Sequence, residues 1–164
     1  MNTSNLRERY FKGKVYTSLS PVIFLTALVW FTPDLLAIKV AHSFQVYLSL
    51  LLFFSSSYLW SQSRIKTSIL SRNQALGLAT IFLFSAPLGG VLTFFLNPVY
   101  GLSLILAIML GLFFFRVPNQ TETKFPYWFK ELMLKSNIML CICLIVMLAY
   151  WLNPYTVPLN YFLK

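Results

Sequence analysis

The stretch Ser43–Ser63, SFQVYLSLLLFFSSSYLWSQS, decides the fold. Its 21 residues carry no charge, and its apolar middle runs into three consecutive serines, Ser55, Ser56 and Ser57. At about 1.5 Å of rise per residue, a helix of that length crosses a hydrocarbon core of roughly 30 Å. Four stretches of similar character surround it, at about 15–36, 74–96, 99–115 and 137–152. The sequence therefore predicts an all-α, polytopic membrane helical bundle: five transmembrane helices in a single unit over residues 1–164, with the bilayer as solvent.

Composition agrees. Of the 164 residues, 58% are hydrophobic and 10% charged, and the mean hydropathy is +0.71. A soluble domain carries about 25% charged residues, so a water-soluble globule is excluded. The net charge is +9. In a soluble protein that would suggest nucleic acid. Here the basic residues lie beside apolar runs, where they set orientation and meet anionic head groups. The partner implied is the lipid bilayer, and no nucleic acid.

The chain begins MNTSNLRERYFKGK, polar and basic. The apolar run that follows, about 15–36, is longer than the core of a signal peptide and lacks a small-x-small cleavage site, so it reads as a retained first span. Pro21 is expected near the start of that span, where a proline costs little, and Thr32-Pro33-Asp34 ends it. Asp34, Lys39 and His42 read as a short polar connection to the second span. Asn97-Pro98 is a turn signal, so the third and fourth spans form a helical hairpin. The longest connection follows Arg116.

Charge alternation supports this division. With the amino terminus inside, the inner segments hold 11 of the 13 basic residues; only Lys39 and Lys164 fall outside. That split follows the positive-inside rule and gives an N-in, C-out topology. Aromatic residues fit the same frame. Trp30 and Trp151 are expected near the outer interface and Trp60 and Trp128 near the inner one, as amphipathic belts. The segment Phe125-Pro126-Tyr127-Trp128-Phe129, with Lys124, Lys130 and Lys135, reads as a short interfacial helix whose lysines face phosphates.

Residues that carry chemistry are sparse. Burying an ionisable group in a membrane is expensive unless function needs it, and no Asp, Glu, Lys, Arg or His lies in the middle of any span. One histidine and two cysteines, Cys141 and Cys143 at i and i+2, make neither a metal cluster nor a disulfide. There is no phosphate-binding glycine loop and no hydrolase elbow. The expectation is a non-enzyme with no catalytic residue, metal or cofactor. Asp34 and His42 are the one candidate polar contact on the outer face. What remains is packing chemistry. Ser85 with Gly89, and Ala86 with Gly90, are small-xxx-small pairs in the third span; Ser103, Ala107 and Gly111 repeat every four residues in the fourth. Such faces let helix backbones approach closely; packing of the third span on the fourth is the use expected for both, with an oligomer interface as the alternative. The hydroxyls of Ser20, Thr26, Ser49, Ser56 and Ser57, with Gln45, are expected to act as structural glue.

Three short motifs also suggest a family. They are the proline-containing first span (Ser20-Pro21-Val22-Ile23-Phe24), the small cluster before a tryptophan (Ser55-Ser56-Ser57-Tyr58-Leu59-Trp60) and the Pro-x-Trp segment before the last span (Pro126-Tyr127-Trp128). In these the chain resembles a family of small bacterial inner-membrane proteins related to mitochondrial transmembrane protein 69, over residues 16–152. It departs from that pattern around Trp60, where Leu59 and Ser61 stand in place of the family's His and Gly. The resemblance implies a five-helix membrane protein and carries no activity with it.

Two functions fit these features. The first is an accessory or assembly factor acting through helix contacts with a larger complex of the bacterial inner membrane, a mitochondrial membrane being the less favoured site. The alternative is a carrier of an apolar, lipid-like or quinone-like molecule, with Pro87, Gly89 and Gly90 opening a cavity in the third span.

Overall fold

The computed structural model describes residues 3–64, 72–114 and 127–153. They form five α-helices: α1 (Thr3–Leu28), α2 (Asp34–Ser63), α3 (Arg72–Val91), α4 (Pro98–Phe114) and α5 (Tyr127–Leu152), with a π-helical turn, Leu92–Leu96, between α3 and α4. Three of them contain runs long and apolar enough to cross a membrane, Leu35–Ser61, Asn73–Leu96 and Glu131–Leu152, and Pro98–Phe113 is a shorter apolar helix.

Each helix packs on its neighbours in sequence, and α1 closes on α5, so the five form a ring. The most extensive pair is α2 with α3. Val22, Val29, Phe44, Leu48, Leu102, Ile105, Leu144, Met147 and Trp151 fill the centre. Ring contacts between Phe11 and Trp128 (6.1 Å) and between Trp30 and Tyr150 (5.4 Å) set α1 parallel to α5.

Three helix boundaries differ from the sequence reading, each for a local reason. The polar start of the chain joins α1 and is helical from Thr3, so Pro21 lies inside the helix. A proline there leaves the carbonyl four residues back without its usual donor. The Ser20 hydroxyl donates to that carbonyl, on Thr17, at 2.8 Å, and so supplies the donor that the proline lacks. The expected connection Asp34–His42 is the beginning of α2. No glycine or proline interrupts residues 34–63, and Ala37, Val40, Ala41 and Phe44 are buried at helical spacing. The Pro33 carbonyl accepts from Ala37 N–H (3.0 Å) and so opens the helix. The segment around Trp128 is likewise the first turns of α5 rather than a separate interfacial helix, strapped by an ion pair from Lys135 to Glu131 (2.6 Å, i to i+4).

The expected turn at Asn97-Pro98 is present. Asn97 is extended (φ −159°, ψ 142°), and its N–H closes the π turn on the Leu92 carbonyl at 3.1 Å. Its Oδ1 accepts from Val99 N–H at 3.0 Å, which makes it the N-cap of α4 with Pro98 at the first helical position.

Candidate functional site

The polar chemistry of the described residues collects along one seam where α2 meets α3, the π turn and α4. On α2, Gln45, Ser49 and Ser56 lie at helical spacing along the face turned to α3. Ser49 Oγ donates to the Ala86 carbonyl (3.1 Å), and Ser56 Oγ donates to the Ala79 carbonyl (2.7 Å). Seven residues separate the donors and seven separate the acceptors, so the two bonds fix the register of the antiparallel pair. Gln45 is fully buried, and its Nε2 donates weakly to Ser49 Oγ at 3.5 Å.

The seam is closed by glycine. A Cβ on Gly89 would stand 2.9 Å from Gln45 Nε2 and 3.0 Å from Ile105 Cδ1. One on Gly101 would overlap the Thr93 hydroxyl and the Gly89 carbonyl oxygen. These two glycines let α4 cross α3 and the π turn with backbones in contact. In that closed space Gln45 Oε1 and Thr93 Oγ1 are buried without a hydrogen-bond partner among the described residues. His42, half-buried on α2, lies on the Phe94 ring of the π turn at 4.4 Å between centroids.

The residues singled out in the sequence separate here. Ser85 and Gly89 are buried in the seam, with Ser85 Oγ donating to the Phe82 carbonyl (3.2 Å), while Gly90 is half-buried with open space where a Cβ would stand. The expected packing of the α4 small-residue face on α3 is not what the helix does. Ser103 and Ala107 are exposed, and nothing lies within 4 Å of a Cβ on Gly111. The face that α4 turns inward is Gly101, Leu102, Ile105 and Met109. Gly101 lies outside the four-residue repeat of Ser103, Ala107 and Gly111, so that repeat does not point to it. The signal was its register with Ile105 and Met109, four and eight residues on.

Asp34 and His42 share α2 rather than facing each other across a hairpin. Eight residues apart on one helix, they are separated by about 12 Å of rise. Trp60 is exposed, and Trp128 is half-buried against Phe11, with the Lys12 ammonium 5.9 Å from its ring centre. Lys130 lies in the first turn of α5, and Lys124 lies outside the described residues. Trp151 corrects the belt reading: it is fully buried in the core, and its indole N–H has no hydrogen-bond partner among the described residues.

Chemically the seam offers oriented neutral groups. Among the described residues the buried polar side chains are Gln45, Ser56, Ser85 and Thr93 on α2, α3 and the π turn, and Thr26 and Ser136 on α1 and α5; none exchanges a proton near neutrality. Among the described residues no three His, Cys, Asp or Glu side chains gather as metal ligands, and Cys141 and Cys143 are buried free thiols. Comparison with family models, curated proteins and solved structures gave no match.

Proposed function

We propose that this chain is a non-enzymatic integral membrane protein of a bacterial inner membrane, an accessory or assembly factor that works by helix contacts with a larger membrane complex. All five helices belong to the membrane part, with the amino terminus inside and the carboxy terminus outside. Membership of the family related to mitochondrial transmembrane protein 69 is part of the same proposal. The orientation rests on the basic residues that flank the inner ends of the apolar runs.

One observation carries the reading. The Ser103–Ala107 face of α4 points away from the bundle, although small residues in lipid serve close helix approach. A partner helix seated on that face would make the close approach that its small residues allow.

The test is purification of a tagged copy from its own membranes in mild detergent, followed by mass spectrometry. A stoichiometric membrane protein is the expected result; a lone chain overturns the reading. A cargo cavity at Gly89 has less support, because Gln45 and Ile105 already fill that space.

A further inference from the structure

A groove of about 660 Å³ lies away from the seam, between α1 and α2, lined by Tyr10, Gly13, Lys14, Thr17, Ser18 and Tyr47. Its position is fixed against α2. Residues 29–33 join the two helices, which therefore run antiparallel. They meet where Tyr47 OH donates to the Ser18 carbonyl (2.7 Å), and Tyr47 is midway along the apolar run Leu35–Ser61. From Tyr47, α2 continues to Ser63 without a charged residue, a rise of about 24 Å. On α1 a charge comes much sooner in the same direction. Lys14 is one turn from Ser18, and its ammonium lies 4.6 Å from the ring centre of Tyr10, one turn further on. Those two turns rise about 12 Å. The ammonium thus stands roughly 12 Å short of the end of the uncharged stretch of α2.

A cation beside the apolar part of a membrane helix either faces water or pairs with an acid. The ion pairs among the described residues, Lys12 with Glu8 and Lys135 with Glu131, leave Lys14 out. Its groove is polar. Thr17 Oγ1 donates to the Gly13 carbonyl (2.9 Å), Ser18 Oγ to the Val15 carbonyl (2.7 Å), and Tyr47 OH to Ser18. With their hydrogens committed, these three oxygens offer lone pairs to water. The lining therefore combines one cation with hydrated hydroxyls and contains no carboxylate.

We infer that this groove receives the carboxylate of an acidic side chain on a membrane helix of a partner protein. The carboxylate takes the Lys14 ammonium as its counter-ion, and water held on Thr17, Ser18 and Tyr47 solvates the pair. Charge complementarity selects the occupant, because an acid in an apolar helix needs a cation at its own level and Lys14 supplies one. The inference rests on the reading of this chain as an accessory protein that works by helix contacts, and adds a second contact face with its own chemistry.

The test uses a synthetic leucine-rich transmembrane peptide with a single glutamate, and a matched peptide with glutamine in its place. Binding to the full chain is read by fluorescence energy transfer in phosphatidylcholine vesicles. The glutamate peptide is expected to bind about tenfold more tightly than the glutamine peptide. Lys14→Gln, at an exposed position, abolishes that preference, and Lys14→Arg retains it. Arg9→Gln, an equal loss of charge on an exposed residue of the same helix, leaves it unchanged. Equal binding of the two peptides, or equal effects of Lys14→Gln and Arg9→Gln, would overturn the assignment. So would loss of the preference in vesicles containing phosphatidylglycerol, which would give the cation to lipid phosphate. A partner that still co-purifies with the wild-type chain, alongside equal binding of the peptides, would overturn this site and leave the accessory reading standing.

Discussion

Gly101 of α4 lies against the carbonyl oxygen of Gly89 on α3 with no room between them for a methyl group. The obstruction is backbone, which cannot swing aside as a side chain can. Gly101→Ala should therefore cost about 1–3 kcal/mol of stability through overpacking. Gly90→Ala and Gly111→Ala, where a Cβ meets open space, should leave stability unchanged or raise it by up to about 1 kcal/mol. Reversible unfolding in mixed micelles measures all three.

The two serine bonds from α2 to α3 are separate and modest. Ser49→Ala and Ser56→Ala should each lose about 0.6 kcal/mol, as interhelical hydrogen bonds in membranes usually do. They lie seven residues apart on α2, about 10 Å, so the double variant should show the sum of the two losses. Ser57→Ala, at an exposed position, should show none. A double-mutant cycle in the same unfolding assay checks the additivity.

Thr93 offers the opposite sign. Its hydroxyl is buried without a partner among the described residues, and such a group costs the fold its desolvation. Thr93→Val keeps the shape and removes the orphan oxygen. The variant should be at least as stable as the native chain, by up to about 1 kcal/mol. A clear loss of stability would mean that the hydroxyl is bonded in the membrane-embedded protein.

Trp151 and Trp30 separate core from belt. Trp151→Ala empties the centre of the ring and should cost about 3–5 kcal/mol. Trp30→Ala removes a partly exposed ring packed edge-on against Tyr150 and should cost about 1 kcal/mol. Two equal, small losses would restore both tryptophans to the interface. Thermal melting monitored by near-ultraviolet circular dichroism distinguishes the cases.

The outward face of α4 can be blocked without disturbing the bundle. Ala107→Leu adds bulk at an exposed position, so the melting temperature of the purified chain should stay unchanged. If α4 receives a partner helix, the same change should remove that partner from the detergent extract. Loss of the partner together with a lowered melting temperature would point to misfolding instead.

The sequence alone determined the all-α class of this protein. Its long apolar runs favour helices, whose backbone groups bond within the run, and Asn97-Pro98 marked the α3–α4 hairpin because the residue before a proline is pushed out of the helical region. Helix ends were less legible. Polar residues such as Asp34, Lys39 and His42 read as a break, yet a helix continues through isolated polar positions while its buried face stays apolar. Tertiary structure alone decided which side of each helix is inside. In a soluble protein the polar face marks the outside, but Ser103, Ala107 and Gly101 are equally acceptable to lipid and to a neighbouring helix. Only the crossing of α4 over α3 set Gly101 on Gly89 and turned Ser103 and Ala107 outward. The same holds for the hydrogen bond from Tyr47 of α2 to Ser18 of α1, 29 residues away along the chain.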